Sequence, residues 1–340
     1  MSSLIDRAKD TIAENFGGSF DKLASHQFSL DSDTPDLSGK VAVVTGGAEG
    51  VGYGITHTLL KHGVAKLFIL SVSKDVVSGS KEAVAREMDQ ATANRIVWMK
   101  CDLSDWTGVK DVSDKIKNST DRLDILVNNA GRGIMSYELT DYGVDRHMAV
   151  NHMGHVVLTS HLLPLMKKTA ESTGGGHSNF VRIVNLASNM HQSVPDDLQF
   201  ASLDELNTDL GPNQQYGRSK LAGMLYARYF DCKVTKNGHP NVLMNATHPG
   251  MLIFTIRSYP LAGYGMSVGL EPFKKNQFEG AMSTVFAATK ITGSGQYICP
   301  PAVPEPGSKA SQASGSADGV DAQGGYGQDA ERVGGSRMSS

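Results

Sequence analysis

The sequence predicts an α/β domain, a doubly wound parallel sheet of about seven strands with helices on both faces. Two observations predict it. Short β-branched runs alternate with longer stretches of helical period, which implies a parallel sheet covered on both sides. A glycine-rich turn also sits between the first such run and the helical stretch after it.

Taken in order, residues 1–38 read as an N-terminal extension and linker. Leu4, Ile5, Ala8, Ile12 and Phe16 recur near helical spacing and predict a short amphipathic helix. Gly17, Gly18 and a Ser/Asp/Pro-rich stretch to Ser38 then read as linker. Residues 39–301 read as the folded domain, with strands at 41–44, 67–70, 96–99, 125–127, 181–184, 242–245 and 296–298. Helical patterns such as Val109, Val112 and Ile116 lie between most of them. Residues 302–340 are Gly, Ser, Ala, Asp and Gln with few large apolar side chains. Such a segment buries too little surface to offset its ordering entropy, so it is expected to be disordered.

Composition narrows the class. The 340 residues are 40% apolar and 20% charged, which supports a globular core. A net charge of −3 gives no electrostatic reason to expect a nucleic-acid or anionic-membrane partner. Cys101, Cys232 and Cys299 are odd in number and lack metal-ligand spacing, so neither disulfide nor metal is expected. No apolar run approaches a membrane span, and the N-terminal stretch carries Asp6, Asp10 and Glu14. A soluble cytoplasmic protein is expected.

The turn reads Thr45-Gly46-Gly47-Ala48-Glu49-Gly50-Val51-Gly52 and precedes Ile55, Leu59 and Leu60 at helical spacing. Gly46 allows a tight turn, Gly50 lets backbone approach a pyrophosphate, and Gly52 lets helix and strand pack closely. The helix N-terminus then offers free N–H groups to phosphate. A glycine triplet alone also fits an ordinary strand–helix turn. The context favours a dinucleotide. Asp102 follows the third strand, where it could accept from an adenine amino group, and Asn128-Asn129-Ala130-Gly131 follows the fourth.

Tyr216-Gly217-Arg218-Ser219-Lys220 opens a helix, and residues four apart share a face. A phenol beside an ammonium and an oxidised nicotinamide is expected to have a lowered pKa and to exchange a proton with an alcohol or ketone. Ser188, just after the fifth strand, would donate to the substrate oxygen, and Asn151 opens a helix. Each of these two also fits a cap.

In order and spacing, Thr-Gly-x-x-x-Gly-x-Gly, Asn-Asn-Ala-Gly, Asn151, Ser188, Tyr-x-x-x-Lys and Pro249-Gly250 resemble the short-chain dehydrogenase/reductase family over residues 37–301. The segment from Phe200 to Asn207 is similar to the branch of retinol-dehydrogenase-like and WW-domain-oxidoreductase-like enzymes and their fungal relatives. The resemblance implies a Rossmann-type fold, a nicotinamide cofactor and a catalytic tetrad of Asn151, Ser188, Tyr216 and Lys220. Tyr216 would be the acid/base, Ser188 would polarise the carbonyl, Lys220 would hold the ribose and depress the tyrosine pKa, and Asn151 would position a relay water. The cofactor would lie on Thr45, Gly46, Gly50, Val51, Gly52, Asp102, Leu103, Asn129, Ala130, Gly131, Tyr216 and Lys220, with Pro249 and Gly250 beside the carboxamide. The resemblance also implies a homo-oligomer.

An NAD site normally carries a carboxylate at the end of the second strand. Here the stretch is Leu70-Ser71-Val72-Ser73-Lys74, and Ser71, Ser73 and Lys74 could receive a 2′-phosphate. NADP(H) is therefore expected over NAD(H), although Glu49 in the turn works against it. Leu252, Ile253, Phe254, Ile256, Leu261, Tyr264 and Met266 would either line an apolar pocket for a hydrophobic carbonyl or alcohol substrate or simply pack the domain. Two departures from the family pattern stand out. Thr255 comes one position late after Pro249-Gly250, and the chain ends in low complexity. They motivate an alternative, a cofactor-binding regulatory or scaffold protein with weak or lost turnover.

Overall fold

A computed structural model describes residues 28–172, 180–250, 276–300 and 303–304. The expected N-terminal helix, the apolar segment from Leu252 to Met266 with Thr255, and the tail from 305 lie outside the described residues.

The seven expected strands are all present: β1 (Val41–Thr45), β2 (Lys66–Ser71), β3 (Ile96–Lys100), β4 (Ile125–Asn128), β5 (Val181–Leu186), β6 (Val242–Thr247) and β7 (Tyr297–Cys299). All seven run parallel, in the order β3-β2-β1-β4-β5-β6-β7. A two-residue strand that the sequence did not predict, β8 (Val303–Pro304), adds antiparallel to β7. Strand order reverses between β1 and β4, and ligands bind such sheets in the crevice at the carboxyl ends beside that switch point.

The longer helices are α1 (Gly50–Lys61), α2 (Lys74–Glu87), α3 (Trp106–Ser119), α4 (Gly154–Ser172), α5 (Pro212–Phe230) and α6 (Gln277–Thr289). The strands are buried on both sides, so alternate residues feed two cores. Val43, Phe68, Leu126 and Ile183 pack with Ile116, Leu158, Leu162 and Met224 on one face. Val44, Leu67, Ile69 and Val127 pack with Ile55, Leu59, Val77 and Val285 on the other. Period-two alternation within a continuously apolar strand is the expected signature of a two-faced sheet. Among the described residues no helix is long and apolar enough to cross a membrane.

Residues 28–38, expected as linker, are packed onto the domain. Phe28 meets Phe286 edge to face at 5.5 Å. Leu37 is buried, and its N–H donates to the His62 carbonyl at 2.7 Å. Three large apolar side chains, Phe28, Leu30 and Leu37, in a polar stretch gave too weak a periodicity to reveal this anchoring.

Candidate active site

The glycine turn joins β1 to α1. Gly46 and Gly50 adopt φ of +61° and +53°, the left-handed region that glycine enters without penalty. A Cβ on Gly52 would run into the Gly46 carbonyl, whereas one on Gly50 would meet nothing within 4 Å. Gly52 thus serves packing and Gly50 an open approach. The Asn-Asn-Ala-Gly turn braces this loop. Asn129 Nδ2 donates to the carbonyls of Thr45 (2.9 Å) and Gly46 (3.1 Å). The backbone N–H groups of Asn129 and Ala130 both donate to Thr45 Oγ1 at 2.9 Å. The Asn129 amide and the Thr45 hydroxyl therefore act inward, shaping the cradle.

At the other end of the crevice, Asp102 is exposed after β3 and its Oδ1 accepts from Ser104 N–H and Oγ. The Leu103 side chain, expected at the cofactor, belongs to the core. Its carbonyl faces Gly154, where a Cβ would clash. After β2, Ser71 Oγ accepts from Ser73 N–H at 3.3 Å, Ser73 caps α2 through Val76 N–H, and Lys74 is exposed. Pro249 and Gly250 follow β6. Gly250 has φ of +82°, and its N–H donates to His248 Nδ1 at 3.3 Å.

The four tetrad residues come from three separate places in the fold and converge. Tyr216 and Lys220 lie one turn apart on α5. Ser188 follows β5; its Oγ accepts from Met190 N–H at 3.2 Å and stands close enough to the Tyr216 phenol to act toward lowering its pKa. Lys220 Nζ donates to the Leu186 carbonyl at 2.8 Å and sits 5.5 Å from the Tyr216 ring centroid. Asn151 lies inside a π-helical turn (Ala149–Met153), a distortion often found at functional sites. Its side chain clamps the Arg132 backbone, accepting from N–H at 2.6 Å and donating to the carbonyl at 3.0 Å. A Cβ on Gly131 would stand 3.2 Å from Asn151 Oδ1 and 3.4 Å from Lys220 Nζ.

A short chain dehydrogenase family model matches residues 40–195. A Neurospora crassa protein, by name the bli-4 oxidoreductase and mitochondrial, is 54% identical over 93% of this chain and 78% of its own length. The chain belongs to the short-chain dehydrogenase family. A Schizosaccharomyces pombe protein, named only as an uncharacterized oxidoreductase, is 30% identical over 88% of this chain and 86% of its own. The structure of Pseudomonas aeruginosa RhlG, titled as an NADP active-site complex, matches with a TM-score of 0.56 at 24% identity, covering 77% of this chain and 95% of that one. That likeness is one of fold.

In this short-chain dehydrogenase burial works against the lowering expected of the Tyr216 phenol. The Tyr216 pKa is raised, chiefly by burial, with the Ser188 hydroxyl acting the other way. Burial also pulls Lys220 down to about 8. The protein by itself keeps the phenol protonated, because loss of solvent disfavours the anion more than the nearby serine hydroxyl favours it.

Two residues of the site escaped the sequence reading. His155 is buried on α4, with Nε2 2.9 Å from Thr45 Oγ1 and Nδ1 3.2 Å from the Asn151 carbonyl. Its helical spacing of four from Asn151 was the available signal. Arg218, a mere spacer between Tyr216 and Lys220 in sequence, is completely buried. Its Nη1 donates to the carbonyls of Glu205 (2.9 Å) and Thr208 (3.2 Å), and Nη2 lies 3.9 Å from Asp145 Oδ2. It ties the segment ahead of α5 to the acid/base helix. Beside Asn151, a cavity of about 10 Å³ lined by Asn128, Asn151, His152, His155, Asn185 and Ser219 is large enough for about one water.

Proposed function

We propose that this short-chain dehydrogenase moves a hydride between a nicotinamide dinucleotide, NADP(H) in preference to NAD(H), and the carbonyl or alcohol carbon of a small hydrophobic substrate. The observation that carries the proposal is the convergence of Ser188, Tyr216 and Lys220 at the carboxyl edge of the sheet next to its switch point.

The residues fit a dinucleotide. Gly50 opens the α1 N-terminus, where Glu49 makes no side-chain cap, so the first N–H groups of α1 are available to a pyrophosphate. Thr45, Gly46, Val51 and Gly52 form the floor, and Asn129, Ala130 and Gly131 the inner wall. Exposed Asp102 would take the adenine, with Leu103 supporting from the core, and Pro249 and Gly250 would flank the nicotinamide. Ser71, Ser73 and exposed Lys74 stand where an NAD site carries an acid, which supports a 2′-phosphate. The RhlG structure, an NADP complex, supports the same cofactor.

The bound cofactor supplies or accepts the hydride. Ser188 donates to the substrate oxygen. Tyr216, held protonated by burial, delivers its phenolic proton to that oxygen in carbonyl reduction and recovers one in the reverse direction. Lys220, an ammonium at neutral pH, steadies ribose hydroxyls and stabilises phenolate after transfer. Asn151 fixes the Arg132 turn beside them and offers a water site.

Tyr216→Phe tests the reading. It keeps ring packing and removes the transferable proton, so oxidation of NADPH by a panel of hydrophobic ketones and aldehydes should slow by roughly 10²-fold or more. Unchanged turnover would assign the acid elsewhere. NADPH binding with no turnover of any panel member would favour the regulatory alternative. The compartment is proposed as cytoplasmic, against the mitochondrial name of the Neurospora relative. Imaging the tagged full-length chain decides between them, and light scattering tests the proposed homo-oligomer.

A further inference from the structure

We propose that His155 is a positioning residue whose imidazole, carrying its hydrogen on Nδ1, links the glycine turn to the acid/base helix. The inference rests on the dinucleotide reading above, and it starts from a count of hydrogen-bond capacity. Thr45 Oγ1 already receives two N–H groups, from Asn129 and Ala130. A hydroxyl oxygen has two acceptor sites, so its own hydrogen must point outward. His155 Nε2, at 2.9 Å, is nearer than the Val127 carbonyl at 3.4 Å. Nε2 is then the acceptor and Nδ1 bears the hydrogen. The partner of Nδ1 at 3.2 Å is the Asn151 carbonyl, which can only accept. Both ring nitrogens are satisfied by one tautomer, and burial favours the neutral ring, pushing its pKa down to about 3.

The chain of donors continues on both sides. Asn151 Nδ2 donates to Ser219 Oγ at 2.9 Å, and Ser219 donates to the Tyr216 carbonyl at 2.7 Å. At the other end Asn129 holds the carbonyls of Thr45 and Gly46. One polar spine thus runs from the phosphate-facing loop through Thr45, His155, Asn151 and Ser219 to the backbone of Tyr216. His155 touches neither cofactor nor substrate. Its role is to hold the glycine turn and the first turns of α5 in register, so that a dinucleotide seated on the turn also steadies the backbone that carries the phenol.

Two measurements on the full-length chain test this. Imidazole ¹⁵N NMR, with the His155 signals assigned by comparison with His155→Gln, should show a neutral Nδ1–H ring that does not titrate near the ordinary histidine value of about 6.5. The Nε2–H tautomer, or protonation near that value, would overturn the proposal. Hydrogen exchange with and without NADPH should show protection of both the glycine turn and the Tyr216–Lys220 turn in the parent. In His155→Phe, protection of the glycine turn should persist, while that of the Tyr216 turn falls by roughly 3-fold or more. Equal protection in parent and variant overturns the coupling. If the phenylalanine variant does not fold, the tautomer measurement on the parent still decides. Should neither NADPH nor NADH protect the parent's glycine turn, the dinucleotide reading fails, and the tautomer experiment judges the spine separately.

Discussion

Replacing Lys220 by methionine should make the protein more stable at neutral pH while abolishing turnover. The lysine is 5% exposed, and burial lowers its pKa from 10.5 to about 8. At about 1.36 kcal/mol per pH unit, that gap corresponds to a cost on the order of 3 kcal/mol for holding the ammonium in place at neutral pH. Methionine retains an unbranched stem and removes the charge. It also leaves the Leu186 carbonyl without its donor, which costs about 1 kcal/mol. The net gain is about 2 kcal/mol, or roughly 5 °C in Tm for a domain of this size.

The sign of the pH dependence follows from the same numbers. The folded-state pKa lies below the unfolded one, so the penalty is fully present below about 8 and fades as pH rises toward 10.5, where the unfolded lysine also loses its charge. The advantage of the variant should therefore shrink across that window. Urea unfolding followed by circular dichroism, at neutral pH and near about pH 10, measures it. A methionine variant no more stable than its parent at neutral pH, or an advantage unchanged at high pH, would refute the burial argument.

Three further outcomes are expected. Carbonyl reduction should hold steady through neutral pH and fall above about 8, because burial keeps the Tyr216 phenol protonated while Lys220 loses its proton there; a rate that stays flat well beyond that point would remove the lysine charge from the mechanism. Lys74→Glu should weaken NADPH binding by roughly 10-fold or more and change NADH binding little, as read by fluorescence titration; an equal effect on both would move the 2′-phosphate elsewhere. Arg218→Met leaves the fully buried Asp145 carboxylate with the Met148 N–H and His147 but without its guanidinium, and should cost about 3 kcal/mol in chemical denaturation; a loss below about 1 kcal/mol would mean Asp145 draws little from the guanidinium.

Much of the site was legible because its signals are local. A left-handed glycine, a helix opening directly after a strand, and two side chains four residues apart are fixed by neighbouring residues, so the turn at Gly46–Gly52 and the Tyr216/Lys220 pair could be read from sequence. Other features of the site depend on distant partners. The Leu103 side chain, expected at the cofactor, packs in the core. Asn129 carries a polar side chain that points at the turn, since Thr45 and Gly46 lie 84 and 83 positions away in sequence but within 3.1 Å in space. Arg218 gave no hint that its guanidinium would be sealed against Glu205 and Thr208.

Sequence by itself determined the sheet, its helices and the family, because apolar periodicity and glycine stereochemistry act over a few residues. Tertiary structure alone decided the proton affinities of Tyr216 and Lys220, the burial of His155 between Thr45 and Asn151 and the anchoring of residues 28–38. Each of these depends on how much water is excluded and which distant groups replace it, and both are set only once the two cores close around the sheet.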